Sequence, residues 1–118
     1  MTLNHLNLPV PDPVAMQDFL VKFFDMEPMR KGNGAMALLT DKNKMQLVLM
    51  GPRMTGMTAS VYPATFHIGF RQDSEADVNR INAAMKADGF DVPAPSRTHG
   101  AWTFYFRSRW GVVIEVVA

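Results

Sequence analysis

The sequence predicts an α+β fold built from two βαβββ modules, and three observations carry that prediction. Two amphipathic stripes mark helices, short runs of alternating or continuous apolar residues mark strands, and the order strand, helix, three strands occurs twice. At 118 residues the chain fits one compact domain, large enough to hide roughly two thirds of its unfolded surface. The expected organisation is a single domain over 1–118, with a first module at about 1–50, a linker at 51–63 and a second module at about 64–118.

The first strand is LNHLNLPV, residues 3 to 10. Asp12-Pro13 then starts a helix, a capping carboxylate followed by proline at the first helical position. Met16, Phe19, Leu20, Phe23 and Phe24 form its apolar stripe, which ends near Asp25. Strands follow at 35 to 40 and 44 to 50, with a weaker one near Pro28 to Lys31. The second module opens with a strand at 65 to 71. Ser74 and Asp77 resemble a capping box for a helix striped by Val78, Ile81, Ala84 and Met85, and Gly89 supplies its stop. Strands at 101 to 107 and 111 to 117 complete the module, with a weaker one at Asp91 to Ala94. Between the modules GPRMTGMTASVYP reads as a plain connector, or else as a flap or a swapped-dimer hinge.

Composition narrows the function classes. The absence of cysteine removes disulfides, thiolate metal sites and cysteine nucleophiles. The opening MTLNHLNLPV has no cationic n-region and no continuous apolar h-region, and no stretch approaches the roughly 18 apolar residues of a membrane span. A cytoplasmic location without membrane contact is expected. A formal charge of +1 with the signs interspersed gives no basic footprint for nucleic acid. The ten methionines mostly fall at positions read as core, where they serve adaptable packing or a plastic apolar pocket.

The puzzle is Glu115, a carboxylate inside GVVIEVVA. Buried without a partner it would cost several kcal/mol. Alternation along each strand gives it company. His5 and Asn7 oppose Leu6, Leu8 and Val10; Gln46 opposes Met45, Leu47 and Leu49; His67 and Arg71 oppose Phe66, Ile68 and Phe70; and Glu115 opposes Ile114 and Val116. The weak internal repeat sets His5 on His67 and Gln46 on Glu115. A single strand histidine is an ordinary structural residue, but two histidines, a glutamine and a glutamate at repeat-related positions make a mixed nitrogen and oxygen site. Such a site suits Zn, Ni, Co, Mn or Fe.

These residues carry a resemblance. Paired βαβββ modules with His5 in LNHLNLPV, Gln46 in KMQLVLM, His67 in FHIGF and Glu115 in VVIEVV resemble the vicinal oxygen chelate superfamily of glyoxalases, extradiol dioxygenases and bleomycin-resistance proteins. The resemblance implies an open, curved mixed β-sheet, a half-barrel with helices on its convex side, and a homodimer. It implies a divalent metal on His5, Gln46, His67 and Glu115, with Glu115 also able to leave the ion and shuttle a proton as the catalytic residue. Tyr105, in TFYF, matches a substrate-contacting tyrosine of the fosfomycin-resistance enzymes, while Asn7 stands where those enzymes have threonine. The turn before the last strand reads SRWG where many members read DPDG, which leaves Arg109 and Trp110 as an exposed turn or as local specificity features.

Strand parity puts Arg71 beside His67 and Arg107 beside Tyr105, two guanidiniums for a carboxylate or phosphate on a small-molecule ligand. Asn7, Arg71, Tyr105 and Arg107 are the expected substrate contacts, although strand ends are also ordinary places for solvated arginine. His99-Gly100 reads as loop chemistry. Two functions remain open. One is a small metal-dependent enzyme of the glyoxalase type, a lyase, isomerase or transferase acting on a small polar, anionic substrate. The other is a metal-free protein that sequesters an antibiotic or another aromatic compound.

Overall fold

The structure, a computed structural model, describes residues 1–59 and 61–118; Ser60 of the expected linker lies outside the described residues. The chain divides into two compact units, Met1–Val61 and Tyr62–Ala118. Each holds its own open four-stranded mixed sheet, so the α+β class and the βαβββ modules are as expected, with the strand pairing of each sheet drawn from one module.

In the first unit β1 (His5–Pro9) leads into α1 (Pro13–Phe24), followed by β2 (Glu27–Pro28), β3 (Met36–Thr40) and β4 (Gln46–Met50). The strand order is β1-β4-β3-β2, with β1 and β4 parallel and the other pairs antiparallel. The helix starts where the sequence places it: Asp12 Oδ1 accepts from Ala15 N–H at 3.0 Å, and Pro13 opens the first turn. It stops at Asp25, whose left-handed φ of 52° lets its N–H reach Leu20 O. The buried stripe Met16, Phe19, Leu20 and Phe23 packs on β3 and β4, where Leu39, Leu47 and Leu49 are buried. Each such side chain withdrawn from water contributes about 1.5–3 kcal/mol. Gln17, buried on the same helix, donates to Leu38 O and accepts from Gly32 N–H, tying the loop after β2 to α1.

The linker contains a helix the sequence reading missed, α2 (Pro52–Thr55). Gly51 precedes it, Pro52 opens it, and Gly56 closes it at φ 70°. Met54, Met57 and Val61 of this stretch are exposed. Among the methionines Met16, Met26 and Met85 are buried while Met29 is exposed, so core packing accounts for fewer of them than expected.

In the second unit β5 (His67–Arg71) leads into α3 (Glu75–Ala87), followed by β6 (Ser96–Thr98), β7 (Ala101–Arg107) and β8 (Val113–Val117), ordered β5-β8-β7-β6. Ser74 caps α3 by accepting from Asp77 N–H, and its hydroxyl donates to the Asp77 carboxylate at 2.6 Å, which holds that carboxyl below the usual range. The weak strand expected at 91 to 94 lies instead at Ser96–Thr98. The reason is the turn: His99 (φ 51°) and Gly100 (φ 83°) are both left-handed, forming the tight hairpin that pairs Thr98 with Ala101. Val78, Ile81 and Met85 of α3 pack on Phe104, Ile114 and Val116. Trp110, expected in an exposed turn, is 2% exposed, and Arg109 lies over its ring at 4.9 Å. Ser108 Oγ donates to Val112 O at 2.6 Å and Gly111 takes φ 84°, which turns the chain back and carries the indole inward. No helix of the described residues is long and apolar enough to cross a membrane.

Gly51 marks the tightest backbone approach in the first unit. A Cβ there would stand 2.3 Å from Gly34 O and 2.8 Å from Pro13 Cγ. Gly51→Ala is expected to destabilise the fold by about 1–3 kcal/mol through overpacking. Urea unfolding checks this as a lowered midpoint with an unchanged slope.

Candidate functional site

The second sheet builds the chemistry. β5 pairs β8 in parallel with Gly69 opposite Glu115, and β7 pairs β8 antiparallel with Tyr105 opposite Glu115. Paired residues project to one face, so a row of Gly69, Glu115 and Tyr105 crosses the sheet. On one side lies the row His67, Val113 and Arg107; on the other, Arg71, Val117 and Thr103. The opposite face carries Phe104, Ile114 and Val116, which are buried against α3.

Glu115 has a close neighbour at each oxygen. Its Oε2 lies 3.5 Å from His67 Nε2, and its Oε1 accepts from the Thr103 hydroxyl at 3.2 Å. That hydroxyl also stands 2.8 Å from Val116 O. Hydrogen bonding to Glu115, with a smaller effect of burial and of the carboxylate charge, raises the Tyr105 phenol above its ordinary range. The Tyr105 ring meets His67 edge to face, with centroids 5.7 Å apart. A Cβ at Gly69 would lie 3.4 Å from Oε2, so glycine leaves space at the carboxylate that a larger side chain would occupy.

The histidine is oriented by the backbone. His67 Nδ1 lies 2.9 Å from Thr65 O. A carbonyl oxygen only accepts, so Nδ1 carries a proton and neutral imidazole keeps its lone pair on Nε2. Nε2 and Oε2 are then two acceptors facing each other, an arrangement that is favourable only with a proton or a cation between them. The side chain of Glu115 is 18% exposed and that of His67 43%, so such a group could enter from solvent.

The first sheet supplies a second donor pair. His5 and Gln46 are direct partners on parallel β1 and β4 and share a face with Asn7 and Val48. His5 Nδ1 lies 3.0 Å from Asn4 Oδ1, which again leaves Nε2 with the lone pair. The repeat, however, is offset. His67 has Val113 as its partner where His5 has Gln46, so by register the counterpart of Glu115 is Val48 and not Gln46. Among the described residues no three His, Cys, Asp or Glu side chains gather in a geometry that could hold a metal ion.

The expected pair of arginines does not form. Arg71 and Arg107 stand in the two rows flanking Glu115, on opposite sides of β8 and four residues apart, or roughly 13 Å along the strand direction alone. Arg107 lines a cavity of about 290 Å³ with Thr65, Phe66, His67, Tyr105 and Val113, whereas Arg71 does not reach it. A second, wider cavity of about 740 Å³ shares Tyr105 and Arg107 and is bounded by Asp88 to Asp91, Phe106 and Arg109. Asn7 is exposed on the His5 face. Trp102 lies away from the site row, its indole N–H donating to Asn79 Oδ1 at 2.9 Å. Thr103 is the site residue that sequence reasoning missed. Its signal was parity with Tyr105, a hydroxyl between Trp102 and Phe104 on the face of Glu115.

Residues 2–116 match the family model described as the Glyoxalase/Bleomycin resistance protein/Dioxygenase superfamily. The chain belongs to that superfamily. A possible glyoxalase from Bacillus cereus is 40% identical, with 100% of this chain and 99% of that one covered and a TM-score of 0.87. A lactoylglutathione lyase from Agrobacterium tumefaciens is 21% identical over 98% and 92% of the two chains, with a TM-score of 0.77. A genomically encoded fosfomycin resistance protein from Listeria monocytogenes is 19% identical over 100% and 93%, with a TM-score of 0.78. The last two share the superfamily fold at identities that carry fold alone. No curated protein matches the chain.

Both tyrosines of the chain are raised, Tyr105 by Glu115 and Tyr62, by burial, to about 12. The folded protein is therefore expected to form less phenolate at the ordinary tyrosine value of about 10 than the unfolded chain does. A raised value means that the folded state holds the proton longer. The stability this contributes is complete below about pH 10 and is lost as pH rises through the folded values. Tyrosinate absorbance checks this, and Glu115→Gln should bring one phenol, that of Tyr105, back toward the ordinary value while leaving Tyr62 where it was.

Proposed function

We propose that this superfamily member is a small divalent-metal-dependent enzyme of the glyoxalase type acting on a small anionic substrate. The observation that carries this reading is the approach of His67 Nε2 to Glu115 Oε2, two acceptors at 3.5 Å. The proposed donors are His67 and Glu115 of the second unit; His5 and Gln46 form a separate pair of the same chemistry in the first, with Gln46 the weaker of the two because a neutral amide is a poor ligand. The chemistry of this set suits Zn, Ni, Co, Mn or Fe. When bound, such an ion supplies Lewis acidity toward substrate oxygens.

The chain's own residues supply the remaining steps. Glu115 is the proposed proton carrier: Oε1 is anchored by Thr103, and Oε2 is turned toward the space beside Gly69, where a substrate proton would be taken up. Tyr105, whose phenol stays protonated, donates a hydrogen bond and steadies the carboxylate. Arg107, on the wall of the cavity of about 290 Å³, pairs with the anionic group of the substrate, and Phe66 and Tyr105 line the same cavity with aromatic surface.

The aromatic walls of the same cavity support a second reading, sequestration of a small aromatic compound without metal. Metal content of untagged protein separates the two. The enzyme reading expects a stoichiometric divalent ion that is lost in His67→Ala and Glu115→Ala, with weaker retention in His5→Ala. Protein that stays free of metal after exposure to Ni, Zn, Mn and Fe would contradict it, and quenching of indole fluorescence by an aromatic ligand would then favour the binder.

A further inference from the structure

The Thr103 hydroxyl has one proton and two acceptors, Val116 O at 2.8 Å and Glu115 Oε1 at 3.2 Å, and the residue is only 2% exposed. A buried hydroxyl without a partner costs about 1–3 kcal/mol. Thr103 escapes that cost whether or not Glu115 is present, because Val116 O lies within reach. The contact with Oε1 is therefore not needed to satisfy the threonine. It acts on the glutamate.

The first unit provides an internal comparison. Matching His5 to His67, the register places Val48 at the position of Glu115, Leu38 at that of Tyr105 and Met36 at that of Thr103. The same sheet positions are thus filled by three apolar side chains in one unit and by a hydrogen-bonded polar trio in the other. A sheet of this design folds without the trio. The polar residues of the second unit are there for the carboxylate they surround.

We propose that Thr103 is the positioning residue of Glu115: its hydroxyl fixes Oε1 so that Oε2 stays turned to His67. Because the hydroxyl can turn to Val116 O, the carboxylate can also move off its anchor without stranding a buried donor. Thr103 thereby holds Glu115 in the donor position and permits its excursion when it takes up a proton. The proposal rests on the reading of Glu115 as a donor and proton carrier.

Two variants test it. Thr103→Val keeps the β-branched shape and removes the hydroxyl; Thr103→Ser keeps the hydroxyl. Crystal structures without added metal should show the approach of His67 to Glu115 preserved in the wild type and Thr103→Ser, and the carboxylate turned away in Thr103→Val. Zinc titration calorimetry should show affinity lowered about 10- to 100-fold in Thr103→Val and restored in Thr103→Ser, the range found for groups that orient metal ligands. A Thr103→Val protein with Glu115 in place and undiminished affinity overturns the proposal, even if its thermal stability is lower. Should Thr103→Val fold poorly, Thr103→Ala carries the same expectations. If the wild type takes up no zinc, the metal reading fails by itself, and the orientation of Glu115 in the crystals still decides the role of Thr103.

Discussion

The candidate site depends on the parallel pairing of the first and last strands of each unit. β5 and β8 are separated by a helix and two further strands, yet they lie side by side and set Gly69 opposite Glu115. That pairing needs a crossover, and the helix in the crossover needs an apolar face to rest on. Ile114 and Val116 provide it, and alternation then leaves Glu115 on the other side. The carboxylate in GVVIEVVA is thus a consequence of where the helix packs.

What the pairing creates is a local excess of acceptors. The Thr65 carbonyl takes the Nδ1 proton of His67, and the lone pair of Nε2 is turned to Glu115. The hydroxyls of Thr103 and Tyr105 both meet that carboxylate by hydrogen bonding. A hydrogen bond to a charged group is worth about 1.5–3 kcal/mol, enough to set an orientation and too little to neutralise the charge. The remaining demand falls on the proton or cation that the proposed function places there. The first unit repeats the backbone and the histidine with its Nε2 lone pair, but not the carboxylate.

Much of this was legible in the sequence, and what was not has physical reasons. The two long helices announced themselves because Asp12-Pro13 and Ser74 with Asp77 satisfy helix N-termini by local chemistry. The face of every proposed ligand followed from period-two alternation. The position of β6 did not, because no apolar pattern marks Ser96 to Thr98. Its only signal is His99-Gly100, which reads as a two-residue hairpin turn once both residues are allowed positive φ. Trp110 was misjudged because burial of a turn residue depends on which way Ser108 and Gly111 bend the chain. The match of Gln46 to Glu115 was a match of letters, and a sheet counts by register. The two arginines looked like a pair for the same kind of reason, since shared parity says nothing about separation along the strands.

The central claim is that the paired strands present an unprotonated Nε2 of His67 to Glu115. Imidazole nitrogen NMR tests it directly, and His99, in its turn, is a control within the same chain. The account predicts that neutral His67 carries its proton on Nδ1, and that the Nε2 resonances of His67 and His5 shift with added zinc while those of His99 do not. A proton found on Nε2 of His67, undisturbed by zinc, would contradict it.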